Sequence, residues 1–141
     1  MSLYTRLLRA HADIYERTDG RLGHRLLGVP TILLRTTGRK SGQERTSALV
    51  YARDGGDLLI VASNGGADRP PAWLLNLEAD PAVGYQLGRK RTPATARPVY
   101  PDDADYERLM AVANANNKDR YATYRTRTER PIPVVVLSPR G

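Results

Sequence analysis

The chain has 141 residues, 40% of them apolar, and no cysteine, so one domain with its own core is expected and disulfides and thiolate metal sites are excluded. Its 22 basic residues outnumber its 15 acidic ones, giving a net charge of +7 carried mostly by arginine, since there are only three lysines. Such a field draws anionic partners without choosing among nucleic acid, lipid and small polyanions, while the two histidines, His11 and His24, do not make a histidine-rich metal centre.

In chain order, residues 3–17 read as a helix, with Leu3, Leu7, Leu8, His11, Ile14 and Tyr15 on one side and charges largely elsewhere. It packs as a surface helix on a barrel or sheet, or lies on a membrane surface, a reading to which Arg6, Arg9, Arg17, Arg21 and Arg25 lend support. No run approaches the ~20 apolar residues of a membrane span, and the charged N-terminus lacks the apolar core of a signal peptide, so a cytoplasmic protein is expected, free or at the inner face of the membrane.

Residues 18–30 are a loop or broken helix, punctuated by Gly20, Gly23, Gly28 and Pro30. Strands follow at 31–36 and 44–53, separated by the turn "GRKSGQ", and then at 57–63 after the hairpin turn "RDGG". The run "DLLIVAS" is almost continuously apolar, which predicts burial on both faces. A glycine- and proline-rich loop (64–71) leads to a short helix at 71–81 that opens on Pro71 and carries Trp73, Leu74 and Leu77 on one side. Strands at 82–87 and 92–100 flank the turn "GRKR", a helix spans 101–116, residues 117–130 are polar and loop-like or weakly helical, and "IPVVVL" (132–137) is the last strand. Six short strands joined by tight turns predict antiparallel pairing and a small barrel with helices at its ends or gaps. The expected organisation is an N-terminal helix and loop (1–29) followed by a barrel (30–141), in one structural domain.

The side chains offer little catalytic equipment. Ser41, Ser47, Ser63 and Ser138 have no histidine partner near a strained turn, "GRKSG" lacks the glycine spacing of a phosphate-binding Walker loop, and Asp102 with Asp103 sits at a helix start where capping explains them. If the chain is an enzyme, a cofactor does the chemistry. Three features suit one. Arg39, Lys40 and Arg45, bracketed by Gly38 and Gly42, form either a solvated hairpin tip or a grip on a phosphate. "SNGG" (63–66) is either an ordinary tight turn or a set of N–H groups offered to an anion or a ring. Tyr121 and Tyr124, three apart, are either half-buried tyrosines or the lining of an aromatic pocket. The cations lie in separate turns without interleaved aromatics, which argues against nucleic acid.

Taken together, "LLRTTGRKSGQERTSAL" (33–49), "DGGDLLIVASNGGADRPPAWLLNLEADPAV" (54–83) and "YATYRTRTERPIPVVVLSP" (121–139) resemble the deazaflavin-dependent nitroreductase family of actinobacteria, which uses coenzyme F420. The resemblance covers about residues 30–139. It implies a mainly β protein with helices, a six-stranded antiparallel split β-barrel of the flavin-nucleotide-binding type. It further implies hydride transfer from the reduced deazaflavin, coenzyme F420, to quinones, enones or nitroaromatic compounds, with no metal. By position, the resemblance assigns Arg39, Lys40 and Arg45 to the cofactor's phosphodiester, and Leu49, Val50 and Tyr51 to the length of the ring. It assigns Ala62, Ser63, Asn64 and Gly65 to the ring and its substituents, and Trp73 to closing the pocket with support from Asn76 and Leu77. Tyr121 and Tyr124 fall on the substrate side as orienting or proton-donating groups. Asn64 stands where the family often has lysine, and Arg127 where it can carry another aromatic. Arg35 is either structural or extends the groove towards the cofactor's glutamate tail. The implied partner is a small-molecule electron acceptor, and the implied assembly a monomer or homodimer. The alternatives are a barrel that binds flavin mononucleotide or haem, and a non-catalytic carrier of an apolar ligand.

Overall fold

The computed structural model describes residues 25–26, 29–116 and 128–140. The helix expected at 3–17 and both tyrosines of the C-terminal motif, Tyr121 and Tyr124, lie outside the described residues.

The strands are β1 (Arg25–Leu26), β2 (Val29–Thr37), β3 (Glu44–Val50), β4 (Ala52–Asp54), β5 (Asp57–Val61), β6 (Ala82–Leu87), β7 (Lys90–Val99) and β8 (Val134–Pro139). The α-helices among the described residues are α1 (Ala72–Ala79) and α2 (Tyr106–Asn116). All pairings are antiparallel, and the order runs β3-β2-β6-β7-β8-β5-β4, with β1 added to the start of β2. The two ends of this order, β3 and β4, are consecutive in the chain, with Tyr51 between them. The stretch 44–54 therefore pairs with β2 through its first part and with β5 through its second, and the sheet curls into a split barrel.

Among the described residues, seven strands of three residues or more replace the expected six, because the break at Tyr51 divides one expected strand between two partners. The first strand starts earlier than expected, at Val29, and the last starts at Val134. Pro133 lacks an N–H but extends the pairing through its carbonyl, which accepts from the N–H of Ala62 at 3.1 Å.

Alternation along the strands sorts the core. Ile32 and Leu34, Leu58 and Ile60, Val83 and Tyr85, Ala94 and Ala96, and Val135 and Leu137 point into the barrel, where Trp73, Leu74 and Leu77 of α1 join them. Leu59, Val61, Val134 and Val136 point the other way and pack with Tyr106, Leu109, Met110 and Ala113 of α2. As expected, β5 is buried on both faces. The Tyr106 hydroxyl is buried with its ring and donates to the Ile132 carbonyl at 2.6 Å, tying α2 to the approach of β8. That helix begins at Tyr106 rather than at 101. The acidic residues before it form a turn in which Asp103 Oδ1 accepts the N–H of Asp105 at 2.8 Å and the Asp103 carbonyl that of Tyr106 at 3.1 Å. Among the described residues no helix is long and apolar enough to cross a membrane.

Candidate functional site

The cationic turn is built by two backbone hydrogen bonds. The N–H of Gly38 donates to the Gln43 carbonyl at 2.8 Å, and the N–H of Gly42 to the Gly38 carbonyl at 2.8 Å. Gly42 takes φ +71°, the left-handed region that favours glycine. A Cβ at Gly38 would stand 2.7 Å from Ser41 Oγ and 3.1 Å from the Gln43 carbonyl, so a side chain there would displace the serine hydroxyl and crowd the backbone that closes the turn. These constraints, more than the charges, account for the glycines that bracket the motif.

The turn is also held from α1. Asn76, 4% exposed, accepts at Oδ1 from the Arg39 backbone N–H at 3.1 Å and from Arg39 Nη1 at 3.0 Å, and donates from Nδ2 to Thr36 Oγ1 at 3.3 Å. Thr36 is the inward-facing neighbour at the end of β2, itself 3% exposed. One buried carboxamide thus joins β2, the turn and α1. Arg39 is anchored by part of its guanidinium, whose five donors exceed what Asn76 takes up. Lys40 and Arg45 are exposed. A cluster of exposed cations on a turn fixed by its backbone fits a phosphodiester.

Trp73 lies one helical turn before Asn76 on α1 and is buried in the barrel interior with Tyr51 and Ala62, while Leu49 packs against the same cluster. Val50 is half-buried. Tyr51 sits where β3 gives way to β4, with the Arg53 guanidinium 5.8 Å from its ring centre. The fold therefore brings Leu49, Tyr51, Ala62 and Trp73 to one apolar wall and connects that wall, through three residues of helix, to the cationic turn.

The loop after β5 is a single 3₁₀ turn, Asn64–Gly66, in which the N–H of Gly66 donates to the Ser63 carbonyl at 2.8 Å and that of Ala67 to the Asn64 carbonyl at 3.2 Å. Ser63 is 6% exposed. Asn64 has φ +46°, alone among the described non-glycine residues in being positive, and its Nδ2 donates to the Arg69 carbonyl at 3.0 Å. Arg130 spans the loop from the far end of the chain, donating from Nε to Ala67 O at 2.9 Å, from Nη1 to Ala62 O at 3.1 Å and from Nη2 to Ser63 O at 2.8 Å. Partial burial lowers the Arg130 pKa from its ordinary value, and the nearby Asp68 carboxylate opposes that shift. Nothing in the sequence announces these contacts, because more than sixty residues separate their partners.

Arg35 belongs to a different network. Its Nη2 donates to Gln86 Oε1 at 2.9 Å, its Nε lies 3.6 Å from Glu44, and Gln86, fully buried, donates onward to the Gly88 carbonyl at 3.0 Å. Register pairs Arg35 with Gly84, on the face opposite Leu34 and Tyr85. There, a groove of about 430 Å³ runs past Arg35, Thr37, Gly84, Arg91 and Pro93 and reaches the cationic turn at Gly42 and Glu44. Among the described residues, no three His, Cys, Asp or Glu side chains cluster as metal ligands.

This fold and wall define a split β-barrel protein of the flavin-nucleotide-binding type. The model of one family, described as F420H(2)-dependent quinone reductase, matches residues 7–139. An F420H(2)-dependent quinone reductase of Mycobacterium tuberculosis is 55% identical over 135 residues, covering 95% of this chain and 91% of its own. Among solved structures, an F420-H2 dependent reductase (FDR-A) superposes with a TM-score of 0.69 at 36% identity, covering 77% of this chain and 94% of that one. Another, described as a domain-swapped dimer, superposes with a TM-score of 0.72 at 33% identity, covering 92% and 96%. The chain belongs to the F420H(2)-dependent quinone reductase family. It is an oxidoreductase that uses coenzyme F420; flavin mononucleotide, haem and the non-catalytic carrier are not favoured.

Proposed function

We propose that this protein reduces quinones at a site formed by the cationic turn, the apolar wall and the loop after β5. The carrying observation is the double hydrogen bond from Arg39 to Asn76, which ties the turn that bears Arg39, Lys40 and Arg45 to the helix that also carries Trp73. Arg39, Lys40 and Arg45 hold the cofactor's phosphodiester. Leu49, Val50, Tyr51, Ala62 and Trp73 line the ring, and Ser63, Asn64 and Gly65 meet its polar edge. Arg35 and Arg91 give the glutamate tail a cationic path along the 430 Å³ groove.

When bound in its reduced form, coenzyme F420 supplies a hydride to the acceptor. The chain's own part is placement and water exclusion, worth several kcal/mol when the reacting groups are aligned. The buried wall of Tyr51, Ala62 and Trp73 provides the dry side. Tyr121 and Tyr124 orient the acceptor, and a tyrosine hydroxyl donates the proton to the oxygen on which charge develops.

Support for a homodimer comes from the solved chain described as a domain-swapped dimer. Support for peripheral attachment to the inner face of the membrane comes from the basic amphipathic pattern at 3–17; flotation with anionic vesicles tests it.

The direct test mixes purified protein with the reduced cofactor and menadione and follows reoxidation at the cofactor's absorbance band. Turnover that needs both protein and quinone supports the reading. Absence of turnover together with absence of any fluorescence change on titrating the cofactor sinks it.

A further inference from the structure

Arg130 places each of its three guanidinium nitrogens on a different carbonyl of one six-residue stretch, Ala62–Ala67. Beside it, Thr128 Oγ1 donates to Asp68 Oδ1 at 2.8 Å and accepts the Arg130 N–H at 3.3 Å, so the stretch is gripped on both flanks. The loop needs such a grip. Its sequence "ASNGGA" has two glycines and no large side chain, and Asn64 is held in a left-handed conformation that L-residues adopt less readily than glycine.

Peptide planarity converts this grip on carbonyls into control of donors. No described peptide bond is cis, and in a trans unit the C=O of one residue and the N–H of the next point in opposite directions. Holding Ala62 O and Ser63 O against the guanidinium therefore aims the N–H groups of Ser63 and Asn64 away from it. We propose that Arg130 is a positioning residue whose fork of hydrogen bonds presents the Ser63 and Asn64 N–H groups to the polar edge of the cofactor ring. A planar group with three directional donor nitrogens suits three diverging carbonyls, whereas an ammonium meets them only as a point charge. The inference rests on the reading above that residues 62–65 meet the ring. It adds a residue that touches neither cofactor nor acceptor.

The experiment compares Arg130→Met and Arg130→Lys with the natural chain. In the cofactor-free protein, amide hydrogen exchange across 63–68 is expected to accelerate in Arg130→Met. Affinity is expected to fall roughly tenfold both for coenzyme F420 and for its tail-less deazaflavin chromophore, while the salt dependence of binding stays the same. Arg130→Lys restores part of the affinity and of the exchange protection. A merely structural role lowers the melting temperature without changing the affinity of the folded protein, and that outcome overturns the proposal, as does unchanged exchange in Arg130→Met. If Arg130→Met does not fold, Arg130→Lys decides alone: affinity for the tail-less chromophore equal to that of the natural chain overturns the proposal. Failure of the natural chain to bind either ligand strikes instead at the assignment of the site, and the cofactor-free exchange result still judges the grip.

Discussion

Asn76 accepts two hydrogen bonds from Arg39, one from its backbone and one from its guanidinium, at 3.1 and 3.0 Å. The pair is the hinge between chemistry and scaffold: Arg39 reaches solvent, while Asn76 is buried and also bonded to Thr36. Asn76→Ala removes both acceptor and donor and leaves buried polar groups without partners, which costs about 1–3 kcal/mol. A lower melting temperature and weaker cofactor binding are expected together. Asn76→Asp keeps the acceptor for Arg39 but replaces the amide donor to Thr36 with an anion, and places a negative charge beside the cationic turn proposed to hold the phosphate. It is expected to lose more affinity than Asn76→Ala. Fluorescence titration beside thermal melts measures both, and equal affinities in the two variants would show that charge at this position is not felt by the ligand.

Arg45 lies on β3 beyond the turn, exposed, with its Nε near Gly38. Arg45→Ala is expected to weaken cofactor affinity roughly tenfold, as removal of one charge-assisted contact implies, and to leave the melting temperature nearly unchanged. The salt dependence of binding should flatten, since one fewer cation contributes to a field screened over ~10 Å at 0.1 M salt. Titrations at two salt concentrations check this. Unchanged affinity would return Arg45 to ordinary surface charge.

What the sequence made legible follows physical range. Turns, strand alternation and the doubly buried β5 are local patterns, and they were readable from "RDGG", "AVGYQL" and "DLLIVAS". The split of 44–54 was not, because "SALVYARD" is continuously strand-like and only the partners on either side of Tyr51 differ. The start of α2 was misplaced because acids after Pro101 signal a helix start wherever they stand. Here Asp103 spends its side chain on a preceding turn. In the site, the turn cations and the glycine loop were visible as composition. Their supports, Thr36 beneath Asn76 and Arg130 across the loop, are single side chains acting over 40 and 63 to 68 residues of sequence, and no local pattern encodes that.

Asn64 illustrates how a departure from a family's habit acquires a local reason. At φ +46° an asparagine is better tolerated than most side chains, and its amide ties the loop through Arg69. Asn64→Lys, which restores the frequent family residue, is expected to cost about 1 kcal/mol of stability while adding a cation to the loop after β5. Asn64→Gly is expected to be close to neutral in stability, since relief of the left-handed conformation offsets the lost hydrogen bond. Chemical denaturation of the three proteins tests this order. A Lys variant as stable as the natural chain would show that the backbone conformation is relieved by other means.

Tyr100 gives the fold an alkaline limit, within electrostatic reach of Arg130. Partial burial, with a 2.6 Å hydrogen bond to Glu78 and that carboxylate's charge, pushes its pKa up to about 12. A tyrosine whose pKa is raised in the folded state contributes stability that is complete below its unfolded value of about 10 and is lost as pH rises through 12. Between those values Tyr100→Phe should lose less stability than the natural chain, although it is less stable near neutrality for want of the hydrogen bond. Urea melts at pH 8 and pH 11 give the comparison; parallel losses in the two proteins would remove Tyr100 from the account.

The proton needed by the acceptor has its test in Tyr124. In the proposed reading, Tyr121 and Tyr124 carry the hydroxyls assigned to the acceptor's side, and the cations of the turn are assigned to the phosphate. Tyr124→Phe keeps the ring and removes the proton, so binding of coenzyme F420 should hold within about twofold while turnover with menadione falls by 10²-fold or so, the lower end of what general acid catalysis supplies. Single-turnover reoxidation beside equilibrium titration separates the two quantities. A loss of affinity with turnover per bound cofactor unchanged would move Tyr124 to the cofactor side, and Tyr121→Phe, measured in the same way, would then carry the question of the proton.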